Sequence, residues 1–340
     1  MQPGFLVRLR PAGPWRFGPD SGDRERLDFI YHSDSVYSAV TSAMALFGLL
    51  DEWLADTAEN APGSSVRFSS CYPFSGDTLL ITPPQNIWPP AASAKLRYSS
   101  VQFAPLKFVE ALLSEEAINE DDWTVDPESR CLLPGGRTRV EGPFRAVVRS
   151  SAAVDRIEPG KNSVHSLAGL QFRPQAGLWL TVAFADDEAR ERWSERVKSA
   201  FRFLADDGFG GARSRGWGRA HAPEFTDGEL PGLLFSREIA QADGVETAYW
   251  LLSLFVPGEN DSVDWKRGSY AITVRSGRAG SSARSGDLKR PLPMISEGSV
   301  LFAGAAPLGS ARNVAPEGFP HPVYRAGFPI AIPVTWRTLA

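Results

Sequence analysis

Cysteine is nearly missing from this chain. Cys71 and Cys131 are the two in 340 residues, too few for a disulfide framework and without metal-site spacing, so both read as reduced core residues. The four histidines, His32, His165, His221 and His321, are scattered, and no metal and no cofactor is expected. No apolar run approaches the ~20 residues that a membrane helix needs. The first residues, Met1 to Arg8, go straight into strand-like alternation instead of a signal peptide; the reading is a soluble, cytoplasmic protein with no membrane partner. Two phosphate-binding patterns are missing as well. No Gly-x-x-x-x-Gly-Lys-Ser/Thr follows Gly211, and Arg213 stands where a dinucleotide fingerprint would need a glycine three residues beyond Gly210. Paired carboxylates on a shared face, a nucleophile elbow and metal-ligand spacing are absent too, which argues against a small-molecule enzyme. Asp121-Asp122 and Asp206-Asp207 read as an acidic loop and a helix terminus.

What is present is enough apolar residue, 43%, to bury a large core, in a length that suits two domains. The net charge of -4 argues against a protein that coats nucleic acid nonspecifically. Its distribution is uneven. Between Lys107 and Ser129 stand eight acidic residues and no basic one, from Arg130 to Lys161 seven basic residues face three acidic ones, and from Arg275 to Arg290 five basic residues face Asp287 alone. Arginine outnumbers lysine 30 to 6, a balance suited to bidentate phosphate contacts. The acidic stretches 110–128 and 224–246 read as solvated faces or as docking surfaces for a basic partner.

Periodicity predicts a strand at Phe5–Arg10 and a helix carrying Val36, Val40, Ala43 or Met44, Phe47, Leu50 and Leu54, with Ser33 or Asp34 as N-cap. Further strands are expected at 67–70, 79–81, 144–149 and 178–184, and a weaker helix at 105–118. A second strong helix should run from about Asp187 to Leu204, capped by Asp186 or Asp187, with Trp193, Val197, Ala200 or Phe201 and Leu204 as its apolar stripe and Gly208 as its stop. Strands at 249–256, 270–275, 299–302 and 328–334 follow. Strand, helix, strands, repeated twice, suggests an α+β fold of two ferredoxin-like (RRM-like) domains with antiparallel sheets. The expected division is 1–140 for the first, a hairpin region at 141–175, and 176–340 for the second, with strands that can cross between halves.

The most informative segment is Gly208-Phe209-Gly210-Gly211-Ala212-Arg213-Ser214-Arg215-Gly216-Trp217-Gly218-Arg219, five glycines among three arginines and a tryptophan. Glycine lets amides approach a ligand, arginine donates to phosphate in pairs, and tryptophan offers a face for a base. A flexible connector is the plainer reading of such a stretch. Spacing of the arginines favours a site for a sugar-phosphate backbone.

Six ordered signatures together resemble the RAMP superfamily of CRISPR RNA-binding proteins, within it the subunit of type III-A effector complexes that holds the 5′ tag of the guide RNA. They are His32-Ser33-Asp34-Ser35-Val36-Tyr37-Ser38-Ala39, Ser69-Ser70-Cys71-Tyr72-Pro73-Phe74, the glycine-rich loop, Val274-Arg275-Ser276-Gly277, Glu297-Gly298-Ser299-Val300 and His321-Pro322-Val323-Tyr324-Arg325-Ala326-Gly327. The chain departs from the family at Ala212 and Trp217, where charged residues are usual. The resemblance implies a noncatalytic subunit that binds guide RNA (crRNA), touches the large polymerase/cyclase-like subunit and a RAMP backbone subunit, lies near target RNA, and inserts a β-hairpin thumb placed here at Val154-Asp155-Arg156 with Lys161 and His165. Expected RNA-binding residues are Gly208, Gly210, Gly211, Arg213, Ser214, Arg215, Gly216, Gly218, Arg219, His32, Ser33, Arg145, Arg149, Asp155, Arg156 and Arg275. His32 has two readings: helix capping with RNA contact, or general base of a guide-processing endoribonuclease helped by Tyr31 or Tyr37.

Overall fold

The computed structural model describes residues 1–18, 26–59, 63–90, 98–135, 140–154, 162–236, 246–280 and 286–336. Its elements in chain order are β1 (Gln2–Leu9), α1 (Ser33–Leu46), α2 (Leu50–Leu54), β2 (Val66–Phe68), β3 (Tyr72–Ser75), β4 (Thr78–Ile81), β5 (Ala104–Pro105), α3 (Leu106–Leu113), β6 (Trp123–Asp126), β7 (Cys131–Pro134), β8 (Phe144–Val154), β9 (Asn162–Phe172), β10 (Ala176–Phe184), α4 (Asp187–Asp207) and β11 (Glu224–Leu230). The last third adds β12 (Thr247–Leu251), β13 (Ile272–Arg275), β14 (Leu292–Ile295), β15 (Val300–Phe302), β16 (Ser310–Asn313), β17 (Tyr324–Gly327) and β18 (Ala331–Thr335). The fold is mixed α/β with antiparallel sheets and few helices.

A seven-stranded sheet runs β11-β1-β10-β3-β4-β5, with β2 also on β10, and every pairing in it is antiparallel. β1 is central because its residues are apolar on both sides: Phe5, Val7 and Leu9 are fully buried and Leu6 nearly so. Residues 176–230, grouped by the sequence pattern with the C-terminal half, thus share their sheet with the N-terminal strand. A second sheet, β15-β12-β18, puts Ala248, Trp250, Val300, Ile332 and Val334 into the same continuous core.

α4 is the longest helix, and its origin is local. The Asp186 carboxylate accepts from the Ala189 amide at 2.8 Å, and Trp193, Val197, Ala200, Phe201 and Leu204 form the buried stripe. The first expected helix is broken: α1 ends at Leu46 and the chain turns through Gly48, at φ 74°, into α2. Trp53 of α2 then packs edge-on against Trp193 of α4 at 5.1 Å. The predicted helix at 105–118 contracts to α3, since Ser114–Glu116 are exposed.

β8 and β9 form a hairpin of eleven residues a side. Among the described residues it pairs with no other strand. It is anchored at its base, where Trp15 and Leu170 exchange backbone hydrogen bonds of 2.9 and 2.7 Å. Asp155, Arg156 and Lys161 lie outside the described residues.

Candidate functional site

The glycine loop leaves α4 at Gly208, whose φ of 104° ends the helix, and folds back on itself before β11. The Phe209 amide donates to the Gly218 carbonyl at 3.0 Å, and the Gly218 amide donates to Pro14 at 2.9 Å. Gly218 sits at φ 82°, and a Cβ there would lie 2.0 Å from the Phe209 oxygen; no other residue closes this loop. Phe209 inserts its ring into the core, stacked on Trp15 with centroids 5.2 Å apart. The loop is therefore packed into the fold through Phe209 and its backbone hydrogen bonds, with the turn Arg213–Arg215 exposed.

Its amides divide into two sets. Those of Gly208, Phe209, Gly211, Arg215, Gly216 and Gly218 donate to backbone carbonyls. Among the described residues, those of Gly210, Trp217, Arg219, Ala212, Arg213 and Ser214 donate to none. The last three are consecutive, with a left-handed Ala212 (φ 62°) at the start of the turn Arg213–Arg215, the kind of arrangement that can receive an anion. Asp207, Ala212, Arg213, Ser214 and Arg219 line the depression there. Arg213 bonds Asp207 at 2.7 Å with both side chains about half exposed, while Arg219 makes no ion pair among the described residues.

Trp217 corrects one expectation. It is 7% exposed, and its ring fills the space over Gly169, where a Cβ would stand 2.5 Å from it, so it offers no face to a base. Its position instead docks the loop on the hairpin. Arg149 lies over the Trp217 ring at 6.0 Å and Arg215 reaches Ser151 Oγ at 3.3 Å. Arg145, Arg149 and Ser151 alternate on one face of β8, and their β9 partners are Gln171, Leu167 and His165. The structure thus gathers Arg145, Arg149, Arg213, Arg215 and Arg219, all exposed, around the loop and one hairpin face.

His32, Ser33 and Arg275 lie elsewhere, buried or half-buried where α1 meets the last third of the chain. His32 is the N-cap of α1, but its side chain makes no cap bond; Nδ1 pairs with Glu297 at 2.8 Å, and the Ser70 hydroxyl bonds the same carboxylate. The Ser33 amide donates to Ser70 Oγ at 2.8 Å, and Ser33 Oγ accepts from the Leu254 amide at 3.0 Å. Asp34, its side chain 1% exposed, holds Arg275 through two bonds of 3.1 and 3.2 Å and also bonds Arg325. Burial pushes the Asp34 carboxyl up, but Arg275 and Arg325 override it and hold it well below the usual range. Glu297 follows the same logic, with burial opposed by His32 and Ser70 and a net lowering. The expected capping by Ser33 or Asp34 is replaced by these long-range bonds. Burial raises the Tyr31 hydroxyl, and pushes that of Tyr37 up to about 12, so neither is poised to move protons at neutral pH.

Residues 245–334 match the family model of the CRISPR Csm4 C-terminal domain. A curated relative, the CRISPR system Cms protein Csm4 of Thermococcus onnurineus (strain NA1), is 25% identical over 225 residues, which are 64% of this chain and 66% of the relative. The chain is Csm4-like. A chain of the crystal structure of the Csm3-Csm4 subcomplex in the type III-A CRISPR-Cas interference complex superposes with a TM-score of 0.64 at 15% identity, over 98% of this chain and 99% of that one. A chain of the Csm1-Csm4 cassette in complex with cA4 gives 0.58 at 17% identity over 99% of each. At such identities these structures bear on the fold, which they share end to end. Among the described residues no helix is long and apolar enough to cross a membrane.

Proposed function

We propose that this chain is a noncatalytic guide-RNA-binding subunit of a type III-A CRISPR interference complex, holding the 5′ tag and bridging the large polymerase-like subunit to a RAMP backbone subunit in the cytoplasm. One observation carries the RNA contact: three consecutive amides without a backbone acceptor among the described residues lie among Arg213, Arg215 and Arg219 on a packed loop docked to the arginine-bearing face of the hairpin. Flexible guanidinium side chains on a preordered backbone suit a ribose-phosphate strand. In architecture, β1-α1-β2-β10-α4-β11 is one ferredoxin-like unit, its strands in the spatial order fourth, first, third, second. The β8–β9 hairpin, inserted before the third strand, is the thumb, and 246–336 is the second domain. The partners follow from the Csm3-Csm4 and Csm1-Csm4 assemblies of the similar structures.

The ribonuclease reading weakens on the position of His32, whose side chain is only 13% exposed. A catalytic imidazole needs a nitrogen that reaches the scissile phosphate, and with Nδ1 held by Glu297 only Nε2 could do so. The test is the salt dependence of guide-RNA binding by Arg213→Ala/Arg215→Ala/Arg219→Ala. Each lost phosphate contact flattens the slope by ~0.7 for a single strand, so a change of about two is expected. An unchanged slope removes the loop from the interface, and metal-independent cleavage of repeat RNA that disappears in His32→Ala would establish the enzyme instead.

A further inference from the structure

Two arginines outside the sequence-derived site, Arg8 and Arg10, continue the basic surface away from the glycine loop. They stand two apart at the end of β1, so an extended chain puts them on one side. Both guanidinium carbons reach the Phe74 ring, at 5.5 and 5.4 Å from its centroid. Phe74 is fully buried and serves as a floor, with the charges on the solvent side at 24% and 37% side-chain exposure. The backbone joins this pair to the loop. Pro11 bridges Ala220, the Arg10 carbonyl accepts from the His221 amide at 2.8 Å, and the Ala12 amide donates to the Arg219 carbonyl at 2.9 Å. Arg10 and Arg219 are therefore diagonal neighbours on one short ladder, about 7–8 Å apart.

Two carboxylates accompany the arginines, Glu224 at 2.8 Å from Arg10 and the fully exposed Asp77 at 3.8 Å from Arg8. Exposed ion pairs are weak, so a backbone phosphodiester, which like a carboxylate carries one negative charge, can replace a carboxylate on these guanidiniums. We propose that Arg8 and Arg10, held over Phe74, form a second phosphate seat that takes the nucleotides of a single-stranded RNA next to those at the glycine loop. This rests on the reading of that loop as a ribose-phosphate site. Continuity with Arg219 favours RNA over an acidic protein segment as the occupant.

The test uses the purified full-length chain, titrated with a short and a long fluorescent single-stranded RNA across a salt series. For the long RNA, Arg8→Gln/Arg10→Gln flattens the salt slope by about 1.4, whereas Arg8→Lys/Arg10→Lys keeps the slope. Glu224→Gln, which frees Arg10, tightens the long RNA and leaves the short one unchanged. If the glutamine pair leaves the slope intact while the triple loop variant loses its two units, the second seat is refuted and the loop reading stands; if both slopes are unchanged, both fail. Should circular dichroism show the glutamine pair unfolded, Glu224→Gln decides: tighter long-RNA binding supports the seat, and unaltered binding overturns it.

Discussion

Asp34→Asn attacks the contact that fastens α1 to the last third of the chain. The carboxylate is 1% exposed and faces two guanidiniums, Arg275 and Arg325, themselves 15% and 7% exposed. Asparagine keeps the shape, but replaces two charged acceptor oxygens by one neutral oxygen and a donating amide that points at other donors. Among the described residues the buried Arg325 Nε already has no hydrogen-bond partner, so the variant would leave two cations short of acceptors. Removing one partner of a buried pair costs about 3–5 kcal/mol, a large share of a stability that for folded domains lies around 5–15 kcal/mol. Urea unfolding followed by tryptophan fluorescence reads this directly. The ten tryptophans include Trp15, Trp53, Trp179 and Trp193 in the first part of the core and Trp250 in the second, so a split transition would reveal the two parts letting go separately. A loss below about 1 kcal/mol would refute the reasoning, since it would mean that solvent reaches the cluster and screens it.

Acid should act on the same cluster. The folded-state pKa values of Asp34 and Glu297 are lowered, so their contribution is complete above the unfolded carboxylate range of ~4 and is lost as pH falls through the folded values; urea midpoints should drop from pH 5 to 3, less steeply in Asp34→Asn. Gly218→Ala forces a Cβ to 2.0 Å from the Phe209 oxygen at φ 82°, and should weaken RNA binding at least tenfold while α4 remains helical by circular dichroism. Trp15→Ala empties the space against Phe209 and Phe17 and should cost about 3–5 kcal/mol by urea unfolding. Burial raises the Cys71 thiol and pushes that of Cys131 up to about 12; a maleimide should label neither in the native protein and both in urea, and fast native labelling would contradict the packing.

How much could be read from the chain depended on how local the cause was. α4 was legible because its cap, stripe and stop all lie within 186–208. The glycine loop was legible as a special backbone for the same reason. β11 was not anticipated, because Glu224–Leu230 is mostly polar and only its final residue is buried; it is a strand because β1 offers it an edge. Trp217 is not the stacking platform that the composition of the loop suggests, since sequence does not tell that Gly169, far upstream, leaves room for its ring. The pairing of Asp34 with Arg275 and Arg325 spans 241 and 291 residues, beyond any periodicity. The motifs that carry the family resemblance at His32–Asp34, Ser70, Arg275, Glu297 and Arg325 turn out to meet one another, which explains their sequence signal through packing.

The central claim is that the loop 208–219 and the β8 face grip guide RNA. Ultraviolet crosslinking of the assembled particle, purified with its bound RNA and mapped by mass spectrometry, tests it most directly. The account predicts crosslinked peptides from the glycine loop and from Phe144–Ser151, at nucleotides of the 5′ tag. Crosslinks confined to other surfaces, with the loop packed against a partner protein, would contradict it.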